Sequence, residues 1–249
     1  VCSSDLADVL SKEERLLILG ERTGFSLNTA PVNFKLKRTD GENILFYAFE
    51  EIDFNNLCMT LIDNILADKR SQLLVNCADP DLFNILAIEE WYNPDLLSIA
   101  HPMTDVSEWL ETLSDMIEAR KEMDPSEYGP LYFMCLRWDK QMGICVDESY
   151  RLVDQWKSIL TNGPSVDVHI LFGAQLYKPV QSNLMSLYNH TICAKGPEEA
   201  AYKFQSIGKA SKLPDSLGFA LYQYGSNMQK FKIYQHTFVR KAESRELEL

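Results

Sequence analysis

The chain has 249 residues, 46% of them apolar, 24% charged and 11% aromatic, with a net charge of −12. That is enough for one good core, at the upper end of what a single core serves. Residues 42–127 hold 19 acids against 4 bases, and residues 195–240 hold 7 bases against 3 acids. A polyanion is repelled by the first region and weakly attracted by the second, which argues against an autonomous nucleic-acid binder. No apolar run reaches the length of a membrane span, and no signal-peptide pattern opens the chain.

The six cysteines, Cys2, Cys58, Cys77, Cys135, Cys145 and Cys193, form no C-x-x-C pair, and several sit in apolar runs. That pattern predicts buried thiols in a reduced, cytoplasmic protein and no structural zinc site. Val1–Leu6 reads VCSSDL, which looks like the in-frame translation of a sequencing-adapter end. Residues 7–249 are then expected to be the C-terminal part of a longer protein. Within them, 7–41 is expected to be a β lead-in, 42–240 the main module and 241–249 a polar tail.

In chain order, LLILGERTGF and Val32–Arg38 make the small β lead-in, and Ile44–Tyr47 is a short buried strand. Phe54, Leu57, Cys58, Leu61, Ile62, Ile65 and Leu66 recur at three- and four-residue steps and predict a helix beginning near Phe54. Leu73–Cys77 and the run around Leu97 are strands, with a helix over Leu82–Trp91 between them. Thr104-Asp105 followed by Ser107 and Glu108 caps a helix running through about Met123, closed by Asp124-Pro125. LYFMCL (Leu131–Leu136) is the most apolar strand. A helix carrying Leu152, Trp156, Ile159 and Leu160 follows and stops at Asn162-Gly163-Pro164. Val168–Ala174, Thr191–Lys195 and Gly218–Tyr222 are further strands, with a helix over Glu198–Ile207, and Lys230–Phe238 alternates as an edge strand or sheet extension. Continuous apolar strands joined by helices predict one α/β domain, its sheet mostly parallel and covered on both faces.

Catalytic constellations are absent from this pattern. His101, His169, His190 and His236 share no metal-ligand spacing, so structural roles and no metal are expected. There is no G-x-S-x-G elbow and no G-x-G-x-x-G. In a parallel sheet a ligand sits at the carboxyl ends of the strands. After Ile44–Tyr47 a phosphate loop would run through Ala48, Phe49, Glu50, Glu51, Ile52 and Asp53. This stretch has neither Gly to turn N–H groups toward phosphates nor Lys to reach them. Two unit charges about 4 Å apart repel by roughly 4 kcal/mol at an effective dielectric of 20, so its three acids disfavour a triphosphate. LYFMCL is followed by Arg137-Trp138-Asp139, where Arg137 would oppose magnesium and Asp139 reaches a metal only if the loop turns back.

In this order the segments resemble the FtsK/SpoIIIE family of P-loop motor ATPases, over roughly residues 15–240. They resemble above all a degenerate C-terminal ATPase module of a large multi-module member. Gly20-Glu21, the β lead-in and ENILFYAFEE resemble the family's entry into its phosphate-loop strand, and PLYFMCLRWD from Pro130 resembles its Walker B strand. Gln155–Gln175 resembles the helix, Gly turn and strand that lead to an Ala-Thr-Gln sensor. There Gln175 matches the sensor glutamine, with Gly173-Ala174 in place of Ala-Thr. Gly208–Tyr222 resembles the run before the last strand.

The resemblance implies a RecA-like P-loop NTPase sandwich. The loop lysine and hydroxyl have no counterpart and the Walker B acid is displaced or lost, so the expected function is a catalytically inactive, structural or regulatory module of a DNA or protein translocase. No cofactor is expected in that reading. The partners it implies are adjacent ATPase modules or subunits, in a ring, with DNA met only through the full assembly and no membrane contact. One alternative is an active ATPase with an atypical loop, using ATP, magnesium, Asp139 and Gln175. Another is a module whose vacant nucleotide cleft takes a partner peptide.

Overall fold

The computed structural model describes residues 16–23, 31–77, 79–86, 97–99, 106–137, 150–175, 182–194, 213 and 217–236. Ten strands form one sheet: β1 (Leu17–Arg22), β2 (Pro31–Phe34), β3 (Ile44–Tyr47), β4 (Gln72–Cys77), β5 (Leu97–Ile99), β6 (Leu131–Leu136), β7 (Val168–Ala174), β8 (His190–Ala194), β9 (Phe219–Tyr224) and β10 (Asn227–Ile233). The helices are α1 (Glu51–Ala67), α2 (Pro80–Ile85), α3 (Val106–Lys121), α4 (Tyr150–Asn162) and α5 (Ser182–Met185). The expected helix over Glu198–Ile207, His101, Thr104-Asp105 and Asp139 lie outside the described residues. No described helix is long and apolar enough to cross a membrane.

Across the sheet the order is β2-β1-β10-β9-β8-β3-β7-β6-β4-β5. The six strands from β8 to β5 are parallel, and β9, β10, β1 and β2 extend them antiparallel. The lead-in is therefore part of the main sheet, hydrogen-bonded to its last strand. β10 runs antiparallel to β9 because the connection between them is short. Only Gly225-Ser226 separates the two, and Gly225 takes a left-handed φ of 57°, as a tight hairpin requires.

Alternating side chains feed two cores. Phe46, Leu73, Val75, Met134 and Leu171 face α1, while Leu45, Leu74, Phe133, Ile170 and Phe172 face α3 and α4. α1 lies under the sheet with only part of one side in water, and its polar residues are used in the packing. Asn64 both donates to Ile18 O and accepts from Ile18 N–H, each at 3.0 Å, and so pins β1 to the helix. Cys58, Cys77, Cys135 and Cys193 are all buried thiols. Trp156 is 1% exposed, whereas Trp109 is half-buried against the same core.

At the amino ends of the parallel strands lies a buried polar cluster. Glu42 accepts from His190 Nε2 (2.9 Å), Tyr224 Oη (2.9 Å) and Lys37 N–H (3.1 Å). His190 Nδ1 is 2.8 Å from Tyr222 Oη, and the His169 ring meets Glu42 O at 2.8 Å. Both histidine rings are hydrogen-bonded within this cluster. Among the described residues no cluster of His, Cys, Asp and Glu could hold a metal ion.

Candidate functional site

The carboxyl end of β3 is flanked by β7 and β8, with β6 one strand further on. A phosphate loop would occupy this edge, between strand and helix. Only three residues lie here, Ala48, Phe49 and Glu50, because α1 starts at Glu51 and not near Phe54 as the apolar periodicity suggests. Ala48 N–H donates to Ala174 O of β7 (3.2 Å), which extends the ladder by one step. The helix then winds at once, its Phe54 N–H bonded to Glu50 O at 3.0 Å.

The early start has a local cause. Glu51 and Asp53 stand in the first turn, where the positive end of the helix favours carboxylates, and no glycine holds the chain open. Apolar periodicity registers only the buried face, so it places the first turn too late. Counting the G-x-x-x-x-G-K-[ST] spacing from Ala48 puts Asp53 at the second glycine and Phe54 at the lysine. Phe54 is fully buried, its ring 5.7 Å from that of Phe46.

Of the loop positions, Glu50, Glu51 and Ile52 are exposed and Asp53 is buried. Asp53 accepts from Gly218 N–H at 2.8 Å, which ties the first turn of α1 to the start of β9. Burial pushes the Asp53 carboxyl above its ordinary value, and nearby Glu50 adds to the rise, while the Gly218 N–H works against it.

At the end of β6 stands Arg137, in a left-handed conformation with φ of 56°. Its N–H donates to Gly173 O (2.8 Å), and its guanidinium pairs with Asp79 Oδ2 (2.8 Å) while 7% exposed. The other oxygen of Asp79 accepts from Asp81 N–H (3.1 Å) and Leu82 N–H (3.4 Å), the cap of α2. A fixed cation therefore fills the place after β6 where a magnesium-holding acid would stand. Sequence reasoning found Arg137 and missed Asp79, although Asp79-Pro80 after a strand is a readable helix start. Gln175 directly follows β7, half-buried. The structure thus brings Ala48–Asp53, Arg137 and Gln175 to one end of the sheet.

Gly173 is held to glycine by its neighbour on β3. A Cβ at this position would run into the ring of Phe46 on the neighbouring strand. Gly173→Ala is expected to destabilise by about 1–3 kcal/mol through overpacking, and Phe46→Leu in the same chain should return most of that loss. Urea unfolding of the single and double variants checks it, and an unchanged midpoint in Gly173→Ala would show the two strands give way.

Six parallel strands in the order β8-β3-β7-β6-β4-β5, a helix after β3 and helices on both faces make an α/β sandwich of the kind found in P-loop NTPases. Within that class the likeness is to FtsK/SpoIIIE-type motor ATPases. The cytoplasmic domain of the Thermomonospora curvata Type VII secretion ATPase EccC superposes with TM-score 0.65 at 15% identity, over 98% of this chain and 31% of that one. EssC ATPases 2 and 3 from Geobacillus thermodenitrificans give 0.68 at 14%, over 94% and 46%. The pCW3 conjugation coupling protein TcpA, in its monomer form with ATPgS, gives 0.66 at 13%, over 92% and 68%. This chain spans about a third of EccC's cytoplasmic domain and under half of the EssC fragment. Identities this low show a shared fold. No protein-family model matches the chain, and no curated protein matches it in sequence.

Proposed function

We propose that this chain is an ATPase-like module of an FtsK/SpoIIIE-type motor that serves a structural or regulatory role and does not hydrolyse ATP. The observation that carries this reading is the β3–α1 junction. Three residues separate β3 from the helix, acids flank its start, and a buried phenylalanine stands at the lysine position. Phosphoryl transfer depends on neutralising the charge of the phosphates, and here the fixed cation, Arg137, is already paired with Asp79. In this reading the module contacts adjacent ATPase modules or subunits of a larger, ring-forming motor. The acidic region 42–127 suits a basic neighbouring surface, the basic segment around Lys195–Lys232 is the side for a polyanion, and DNA is met only through the assembly.

Calorimetry with ATP or ADP and magnesium, with thermal unfolding in parallel, tests it. A ligand that binds the folded form raises Tm in proportion to the logarithm of its excess over Kd. No heat and no shift in Tm at millimolar nucleotide is the expected result. Micromolar binding would bring the nucleotide-driven reading forward, and ATP turnover would overturn the inactive one, with Asp139 and Gln175 the first residues to replace.

A further inference from the structure

Two surfaces of opposite charge lie on one side of the sheet, at separate places. β10 turns Phe231 and Ile233 into the α1 core, so Lys230 and Lys232, which alternate with them, stand on the opposite side. Both are exposed. Val32, Phe34 and Leu36 also enter the α1 core, and the exposed Lys35 alternates with them on the lysine side. Half-buried Phe219 lies opposite Lys232 in the ladder and half-buried Met228 precedes Lys230 by two residues, so the patch has apolar ground. Its acid is Glu21, across the ladder from Lys232. None of the three lysines has a carboxylate partner among the described residues.

On α3, Glu108, Glu111, Asp115 and Glu118 recur at steps of three and four residues, and Glu122 continues the line past the helix end. All five are exposed, while Leu110, Leu113 and Ile117 fill the opposite face against the sheet. Of the five, Glu118 alone is ion-paired among the described residues, with Lys121 at 2.6 Å. Like charges three and four apart repel on a helix, and Glu118 and Glu122 stand at the end where the dipole disfavours carboxylates. The stripe therefore costs the isolated helix stability, and a basic surface laid along it relieves that cost. Met123, exposed at the end of the stripe, adds an apolar contact.

α3 packs over β6, its Trp109 ring 5.5 Å from that of Phe133. From β6 to β10 there are five strand spacings, about 24 Å. Charges are screened within about 8 Å at physiological ionic strength, so the two surfaces do not neutralise each other within one molecule. We propose that this chain self-associates head to tail, the acidic stripe of α3 on one copy lying across the lysine face of β10 on the next. The net charge of −12 on each copy is spread over the molecule and largely screened, whereas the patch charges meet at contact distance. Because the two surfaces differ, repetition gives a ring where the rotation closes and a filament where it does not. The contact rests on the ring-forming reading of this module and supplies its geometry; it does not depend on whether ATP is hydrolysed.

Sedimentation velocity on the full chain, from micromolar to hundred-micromolar concentration, tests it. The unaltered protein should associate at about 0.15 M salt, and its Kd should rise about tenfold or more by about 1 M, where the screening length falls to about 3 Å. Lys230→Glu with Lys232→Glu should weaken association about tenfold or more, and so should Glu111→Lys with Asp115→Lys, because like charges then face each other. Mixing the two variants should restore it, each supplying the charge that the other has reversed. Both remain net negative, so bulk attraction does not account for the rescue. A chain that stays monomeric throughout would overturn the contact, as would association that neither pair of reversals weakens. If a variant fails to fold, the unaltered chain decides, since an equal Kd at the two salt concentrations rules the contact out. A monomer that binds no nucleotide would sink the contact and leave the inactive reading standing, whereas a salt-sensitive assembly that hydrolyses ATP would do the reverse.

Discussion

Glu42→Ala is expected to cost about 3–5 kcal/mol, the scale for removing one partner from a buried pair. Glu42 is 1% exposed and His190 2%. Deleting the carboxylate takes the shared acceptor from the donors on His190, Tyr224 and Lys37 together. Urea unfolding at neutral pH measures the loss, and a cost under 1 kcal/mol would mean that water enters the cluster. The same residue sets an acid limit. Burial works to raise the Glu42 carboxyl, but hydrogen bonds from His190, Tyr224 and the Lys37 backbone outweigh it and hold it at about 2, against an ordinary 4.5. A carboxyl lowered in the folded state contributes stability that is present above its ordinary value and lost as pH falls toward the folded one. The unaltered protein should therefore weaken between about pH 4.5 and pH 2. Glu42→Gln should start weaker and decline less over that range. Asp167 adds to the remaining decline, since hydrogen bonds from His169 and Arg38 outweigh its burial and hold it well below the usual carboxylate range.

Trp156→Ala should cost a similar amount, about 3–5 kcal/mol, by opening a cavity between α4 and the sheet. The Trp156 ring stands edge-on to Phe172 with centroids 4.8 Å apart, and lies 6.2 Å from Phe133. Its indole N–H has no hydrogen-bond partner, so the loss is one of packing alone. Trp156→Phe should recover a good part of it. Trp109→Ala should cost clearly less, because that side chain is half-buried, and equal losses at the two positions would mean α3 is held as deeply as α4.

The strands and α1 were legible because their apolar runs are local and periodic. LYFMCL contains six buried residues in a row, and no surface element reads that way. Strand direction was not legible from the same signal. β9 is as apolar as its parallel neighbours, and a strand buried on both faces has the same composition in either direction. Gly225-Ser226, a two-residue hairpin connection, shows only that β9 and β10 run antiparallel to each other. At the candidate site, the missing glycines and lysine were plain, and so was Arg137 after β6. Its pairing with Asp79 was not, since the two are 58 positions apart and only the fold sets β4 beside β6. The early start of α1 was hidden because Glu51 and Asp53 act through charge at a helix end, which hydrophobic spacing does not register.

The pairing of β1 with β10 sets an order of events. Gly20 lies opposite Ile233 in the ladder, so β1 finds this neighbour only once β10 has been made. During synthesis the parallel strands and their helices can assemble as they emerge, and β1 can pack on α1 through Asn64, but its edge does not join the sheet until β10 is in place. Contacts so distant in sequence slow folding, because the closure entropy is lost before the contact rewards it. Completion of the sheet thus waits for β10, and until then the edge of β1 is an open template for pairing.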